Sequence, residues 1–241
     1  MPRQTDDDDL FRACCSDIDA AHISLGHALG WRFVTCPKDN FSKEARIWLV
    51  TLHPGGRRDY PEHPQPSQEA GSAYLVESWD DQAAGADALQ RQIQMLFDEL
   101  AKQTGNPSGN RLLSNSLSSH FIPFRAPSFA ELENKRPTIE FAKRLWRRIL
   151  SNFHPQLRIV LDRNGYKAFS EVLAGQFGQP LSEVEYPIGW GRYVARIRQF
   201  PNGPTLGWLP NLSRFKIFGR QESAAHVVEI VKAATKNVAD A

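Results

Sequence analysis

Residues 46–52 read Arg-Ile-Trp-Leu-Val-Thr-Leu, and the run closes in His53-Pro54-Gly55-Gly56. A short apolar run stopped by proline and glycine describes a central strand buried on both faces. Such strands belong to parallel sheets covered by helices on either side. The pattern returns at residues 157–161 and again at 204–208, where the chain leaves the apolar run through Leu209-Pro210-Asn211. Helical stretches fall between these runs. Residues 87–103 place Leu89, Ile93, Leu96, Phe97 and Leu100 on one face. Further helices are expected over 138–152, with Thr138 as N-cap, over 166–177 and over 222–238. Weaker strand signals lie at 30–35, 111–116 and 193–200. Strands alternating with helices predict an α/β fold. The expectation is a three-layer αβα sandwich around a central, mostly parallel four-stranded sheet.

A length of 241 residues suits one domain. Residues 21–241 are assigned to it, and residues 1–20, with Asp6-Asp7-Asp8-Asp9, to a flexible acidic arm. That acidic start is unlike a secretory leader, and no apolar run reaches the roughly 18 residues needed to span a bilayer. Cys14, Cys15 and Cys36 have neither disulfide nor zinc spacing, so buried thiols in a reducing, cytoplasmic setting are expected. No metal or cofactor is implied, and a monomer is the expected state. The net charge of +2 conceals a segregation, because no Asp or Glu occurs from Pro187 to Gln221. Arg192, Arg196, Arg198, Arg214, Lys216 and Arg220 lie there among Trp190, Tyr193, Phe200, Trp208, Phe215 and Phe218. Basic residues interleaved with aromatics suit a polyanion whose bases can be stacked, and equally a solvated face over a core stripe.

Two loops, each after an apolar run, carry a polar side chain beside a proline: His53 before Pro54, and Asn211 after Pro210. In open α/β sheets the ligand sits outside the carboxyl ends of the strands, so both are candidates for chemistry. Residues 55–72 form a long Pro/Gly/Gln-rich loop, a length that usually signals function. Phosphate-binding glycine loops, a zinc-protease His-Glu-x-x-His and a Gly-x-Ser-x-Gly elbow are all missing from the sequence.

His53-Pro54-Gly55-Gly56, Gly71-Ser72-Ala73-Tyr74, Leu112-Leu113-Ser114-Asn115 and Pro210-Asn211-Leu212-Ser213 occur in that order. Together they resemble the motifs of the uracil-DNA glycosylase superfamily over residues 44–220. The resemblance implies a DNA glycosylase fold and a double- or single-stranded DNA partner. It implies a pocket in which Tyr74 stacks on an extruded base, Asn115 reads its edge, and Pro54 and Gly55 line it. It places catalysis on His53 and Asn211, and DNA contact on Leu212, Ser213, Arg214, Lys216 and Arg125. The types differ from the family's pattern. His53 stands where the family has Asn or Asp to position water, and Asn211 where it has a His for the leaving base. That exchange favours a modified pyrimidine, such as a modified cytosine, over plain uracil. No Lys lies in these motifs to form a Schiff base.

Each residue also has a plainer reading. His53 and Asn211 can bond nearby backbone, Asn115 can form a turn, Tyr74 and Leu212 can be core, and Arg125 can be a structural ion-pair partner. His120 reads as a core or loop histidine.

Overall fold

The computed structural model describes residues 3–57, 65–201 and 203–238. A six-stranded sheet runs in the order β2-β1-β3-β6-β5-β4. Its strands are β1 (Ile47–Thr51), β2 (Leu117–His120), β3 (Leu157–Val160), β4 (Ser182–Pro187), β5 (Val194–Gln199) and β6 (Thr205–Trp208). Neighbours among β2, β1, β3 and β6 pair in parallel, whereas β4 and β5 form an antiparallel hairpin on the β6 edge. The sheet thus has six strands rather than the expected four, and only part of it is parallel. The hairpin strand β4 escaped the sequence reading because it has no buried residue. Glu183 and Glu185 stand opposite Arg198 and Arg196 across the hairpin and pair with them.

The period of β1 divides the core. Trp48 and Val50 face a cluster built with α1 (Arg3–Ser24), α5 (Lys135–Leu150) and α6 (Arg163–Phe177). Ile47 and Leu49 face the other cluster, built with α3 (Ala88–Gln103), α4 (Gly109–Ser114) and α7 (Ala224–Thr235). Helices thus cover both faces, as a parallel sheet requires. None of the helices among the described residues is long and apolar enough to cross a membrane.

Two expectations are corrected here. The acidic N-terminus is a helix, with Phe11, Cys14, Ile18 and Ala21 at helical spacing buried in the first cluster. Its acids are held by Lys43 at Asp7, Lys38 at Asp8 and Arg148 at Asp17. Cys14 and Cys36 are buried, Cys15 is half-buried, and burial pushes all three thiols up to about 12. Second, residues 111–116 are not a strand. Ser108 caps α4 by accepting from the Arg111 amide, and Asn115 closes that helix before β2 begins at Leu117.

The remaining helices match the pattern that predicts them, with shifted starts. Asp87 caps α3 through the Leu89 amide, and Gln90 returns a bond to the Asp87 amide, which closes a capping box. Asp162 caps α6 through the amides of Asn164 and Gly165. Helix α5 starts at Lys135, so Thr138 lies inside it, where its hydroxyl meets His27 Nε2 at 3.0 Å. Residues 31–35 make only isolated bridges, to Phe124, Gln65 and Ser119.

Candidate active site at the carboxyl edge of the sheet

The chain leaves β1 for α3 on one face and leaves β3 for α6 on the other. Where adjacent parallel strands send their connections to opposite faces, a crevice opens at their carboxyl ends. His53 follows β1 at this point and Asp162 follows β3. The two are close enough for the Asp162 carboxylate to act on the His53 ring charge. Gly165, on the first turn of α6, allows the helix to close on β1, because a Cβ there would sit 3.8 Å from Leu52 Cα and 3.3 Å from Val160 Cγ1.

The His53 ring is fixed by its own loop. Its Nδ1 lies 2.9 Å from the Pro54 carbonyl, which can only accept, so Nδ1 carries the proton. Burial holds the ring's pKa below the ordinary 6.5, against the opposing pull of the Pro54 carbonyl and Asp162. The ring is therefore neutral at pH 7, with its lone pair on Nε2. It stacks at 6.4 Å on Phe129, a half-buried ring in the loop after β2.

His120 ends β2. Its Nδ1 lies 2.6 Å from the Thr51 hydroxyl, at the end of β1. Burial depresses its pKa strongly, helped by the charges of Arg32, His53 and Arg125. Arg125 packs against Gly56, where a Cβ would meet its Nε at 3.3 Å. The loops after β1 and β2 are laced together, with Phe121 donating to the Thr51 carbonyl, Ile122 to Leu52 and Ala126 to Pro54. Pro54 is buried beneath this lacing, while Gly55 is exposed, with open space where a side chain would stand.

Asn211 follows β6 through Leu209 and Pro210, and it is exposed. Its Oδ1 accepts from the Ser213 amide at 3.0 Å and the Ser213 hydroxyl at 2.6 Å. The plainer reading of Asn211 as a residue bonding its own turn is thus observed. Engaging the oxygen also fixes which side of the amide can donate outward. The β1 and β6 ends are two strand spacings apart, about 10 Å.

No family model matches the chain, and no curated protein matches it.

The geometry of the site separates the expected residues. Asn115 lies at the amino edge, before β2, in a cleft with Lys43, Glu44, Arg46 and Asn106. It stands five residues from the strand's carboxyl end, roughly 17 Å at about 3.3 Å per residue. It cannot reach a base held beside His53. Asn115→Ala should leave any base release unchanged; a loss exceeding about tenfold with stability intact would restore Asn115 to the site.

Tyr74 is 2% exposed, on the short helix α2 (Ala73–Val76). Its ring packs edge-on to Trp79 in the core, and its hydroxyl lies near the side chains of Thr35 and Thr51. Burial raises that phenol to about 12. No face of the ring is open to a base, so its place is core. Leu212 is 0% exposed within the second cluster and is not available as a wedge. Ser213, Arg214 and Lys216 are exposed. Residues 58–64 of the long loop lie outside the described residues.

The acid-free run is also less basic in space than in sequence. Arg196 and Arg198 are paired with β4 glutamates, and Arg220 with Glu222. Arg192, Arg214 and Lys216 remain outside these pairs, Arg214 over Phe215 at 5.4 Å, and Arg220 also covers Trp190 at 4.1 Å. Tyr193 and Trp190 contact the same Phe215 ring at 4.5 and 5.9 Å. This partly exposed aromatic group joins Phe215, in the segment after Asn211, to Trp190 and Tyr193, in the turn before β5.

Sequence reasoning ranked His120 low and passed over Asp162 and Phe129. The shift of β2 by several residues hid His120, since it is a strand-end residue only in the observed register. Asp162 reads as a turn residue, a role it does fill as the α6 cap.

Proposed function

We propose that this chain is a DNA glycosylase that extrudes a modified pyrimidine and hydrolyses its bond to the sugar, leaving an abasic site. One observation carries the reading: His120, His53, Asp162 and Asn211 follow the ends of the four parallel strands in spatial order, about the switch point between β1 and β3. The chemistry needs a polarised water, stabilisation of positive charge on the sugar, and donors for the departing base. His53 Nε2 accepts a proton from water. The Asp162 carboxylate faces the cationic sugar. The Asn211 amide donates to the base, where one well-placed donor contributes about 2.7–4 kcal/mol. The Thr51 hydroxyl, 2.6 Å from Nδ1, holds the neutral His120 ring beside this site.

Extrusion costs a few kcal/mol and needs an aromatic surface to receive the base. Phe129, beside His53, takes the role expected of Tyr74. Exposed Arg214 and Lys216, with the Tyr193–Phe215–Trp190 group, supply backbone and stacking contacts.

The buried Tyr74 and the remote Asn115 favour one rival reading, a DNA-binding module without catalysis. A base-release screen decides between them. The protein is incubated with DNA carrying uracil and a panel of modified pyrimidines, and the free bases are read by mass spectrometry. Release of a modified pyrimidine ahead of uracil is the expected result. DNA binding with no release from any substrate establishes the rival. Failure to bind DNA in a salt-dependent manner removes both, since phosphate contacts make affinity fall steeply with salt.

A further inference from the structure

Arg158 lies in the middle of the sheet on β3, paired in register with Trp48 and Leu206. It is 0% exposed, and its Nε, Nη1 and Nη2 have no hydrogen-bond partner among the described residues. Arginine is rarely buried without a carboxylate, because an uncompensated interior charge is strongly destabilising. The guanidinium lies over the rings of Trp48 and Phe177, each at 5.8 Å. The indole Nε1–H of Trp48 also has no partner.

Arg158 borders a cleft of about 420 Å³ at the amino edge of the sheet, opposite the edge that carries His53. His154, Gln156, Arg158, Phe177, Pro204 and Asn237 are among its lining, which includes no acidic residue among the described residues. The Gln156 side-chain oxygen is buried there without a donor. Oxygen and nitrogen of such an amide exchange by a half-turn, which would present its NH2 instead. The volume lies within the range of small-molecule sites. Burial draws the Arg158 pKa down to about 9, and a bound anion would reverse that pull.

We propose that this cleft binds a small organic oxyanion, with Arg158 as its fork-shaped receptor and Phe177 and Pro204 as apolar walls. An oxyanion with two oxygens on one centre satisfies two guanidinium donors at once, and the 420 Å³ leaves room for an organic body behind it. The carboxylate and the phosphate monoester share this chemistry. The cleft's own lining covers the guanidinium, so binding requires that lining to part. The inference does not depend on the glycosylase reading, because it concerns the opposite edge of the sheet.

Benzoate and phenyl phosphate serve as probes, with chloride at matched ionic strength as control. A ligand that binds only the folded state should raise Tm along a saturating curve, by about 5–10 °C at a hundredfold excess over Kd. A response to benzoate alone assigns a carboxylate, and one to phenyl phosphate alone a phosphate monoester. Arg158→Met, of similar volume and without charge, should match or exceed the unliganded wild type in Tm and lose the response. Arg158→Lys should weaken binding at least tenfold. A Met variant that responds as wild type does, or a wild type whose Tm follows ionic strength alone, overturns the proposal. If the Met variant does not fold, the Arg158 Nε–H NMR resonance of the wild type decides. It must move along the same saturating curve, and a resonance that stays in place overturns the site.

Discussion

His53→Ala should lower single-turnover base release by at least about 100-fold, the lower end for a general base, while DNA binding persists. The expectation follows from one hydrogen bond and one burial. The Pro54 carbonyl accepts a hydrogen bond from Nδ1–H, so a neutral ring keeps its lone pair on Nε2. Burial depresses the ring's pKa, so the neutral form is the folded protein's ordinary state at pH 7. The sign of the pH dependence is then fixed. Base catalysis needs the unprotonated ring, so the rate should be level above pH 6.5 and fall with acid, with its midpoint below 6.5. Were His53 an acid, the rate would instead climb toward low pH. His53→Asn, which supplies the residue type of the resembled family, should retain some orientation of water and lose the acid limb. An unchanged rate in His53→Ala, or a profile rising toward acid, would remove His53 from the chemistry.

The parts of the fold that were legible are those where burial leaves a continuous record. β1, β3 and β6 are apolar because helices cover both their faces, and α3 carries its stripe because one face is solvated. Where tertiary partners replace apolar pattern, the record is thin. β2 is Leu-Ser-Ser-His, and its stability is main-chain and hydroxyl bonding. Ser119 donates to the Phe33 carbonyl at 2.8 Å, and Cys36 Sγ accepts from the Ser118 amide. A sequence reader therefore assigns the strand to the preceding Leu112-Leu113, which belongs to α4, and Asn115 is carried to the wrong edge of the sheet. The acidic run on α1 masks its buried stripe in the same way. At the site, His53 and Asn211 were legible because proline and strand end sit beside them in sequence. His120 and Asp162 depend on which strands are neighbours, and local sequence does not encode that. Tyr74 shows a different limit: a motif specifies residue type, whereas depth comes from Trp79 and the hydroxyls of Thr35 and Thr51 around it.

The largest stability effect is expected at Trp146, which joins the core to the candidate site. Its side chain is fully buried on α5, with Trp48, Phe169 and Phe121 rings at 5.8, 5.1 and 6.5 Å. Trp→Ala at such a position costs about 3–5 kcal/mol through lost transfer and a residual cavity. The indole also donates to the Phe121 carbonyl at 2.9 Å. That residue directly follows His120, and its amide bonds the Thr51 carbonyl, so the indole anchors the segment that carries His120. Removing the donor strands a buried acceptor, at about 1–3 kcal/mol, not simply additive to the cavity. A chain of this size shifts by roughly 2–4 °C per kcal/mol, so Trp146→Ala should lower Tm by roughly 6–20 °C. Trp146→Phe separates the two contributions. It keeps most of the volume and loses the bond, so its cost should stay near the smaller figure. Its base-release rate should fall by more than its stability explains, because His120 loses its anchor. A Phe variant as stable as wild type would show that the Phe121 carbonyl finds another donor. The His120 segment would then be held by its pairing to β1 alone.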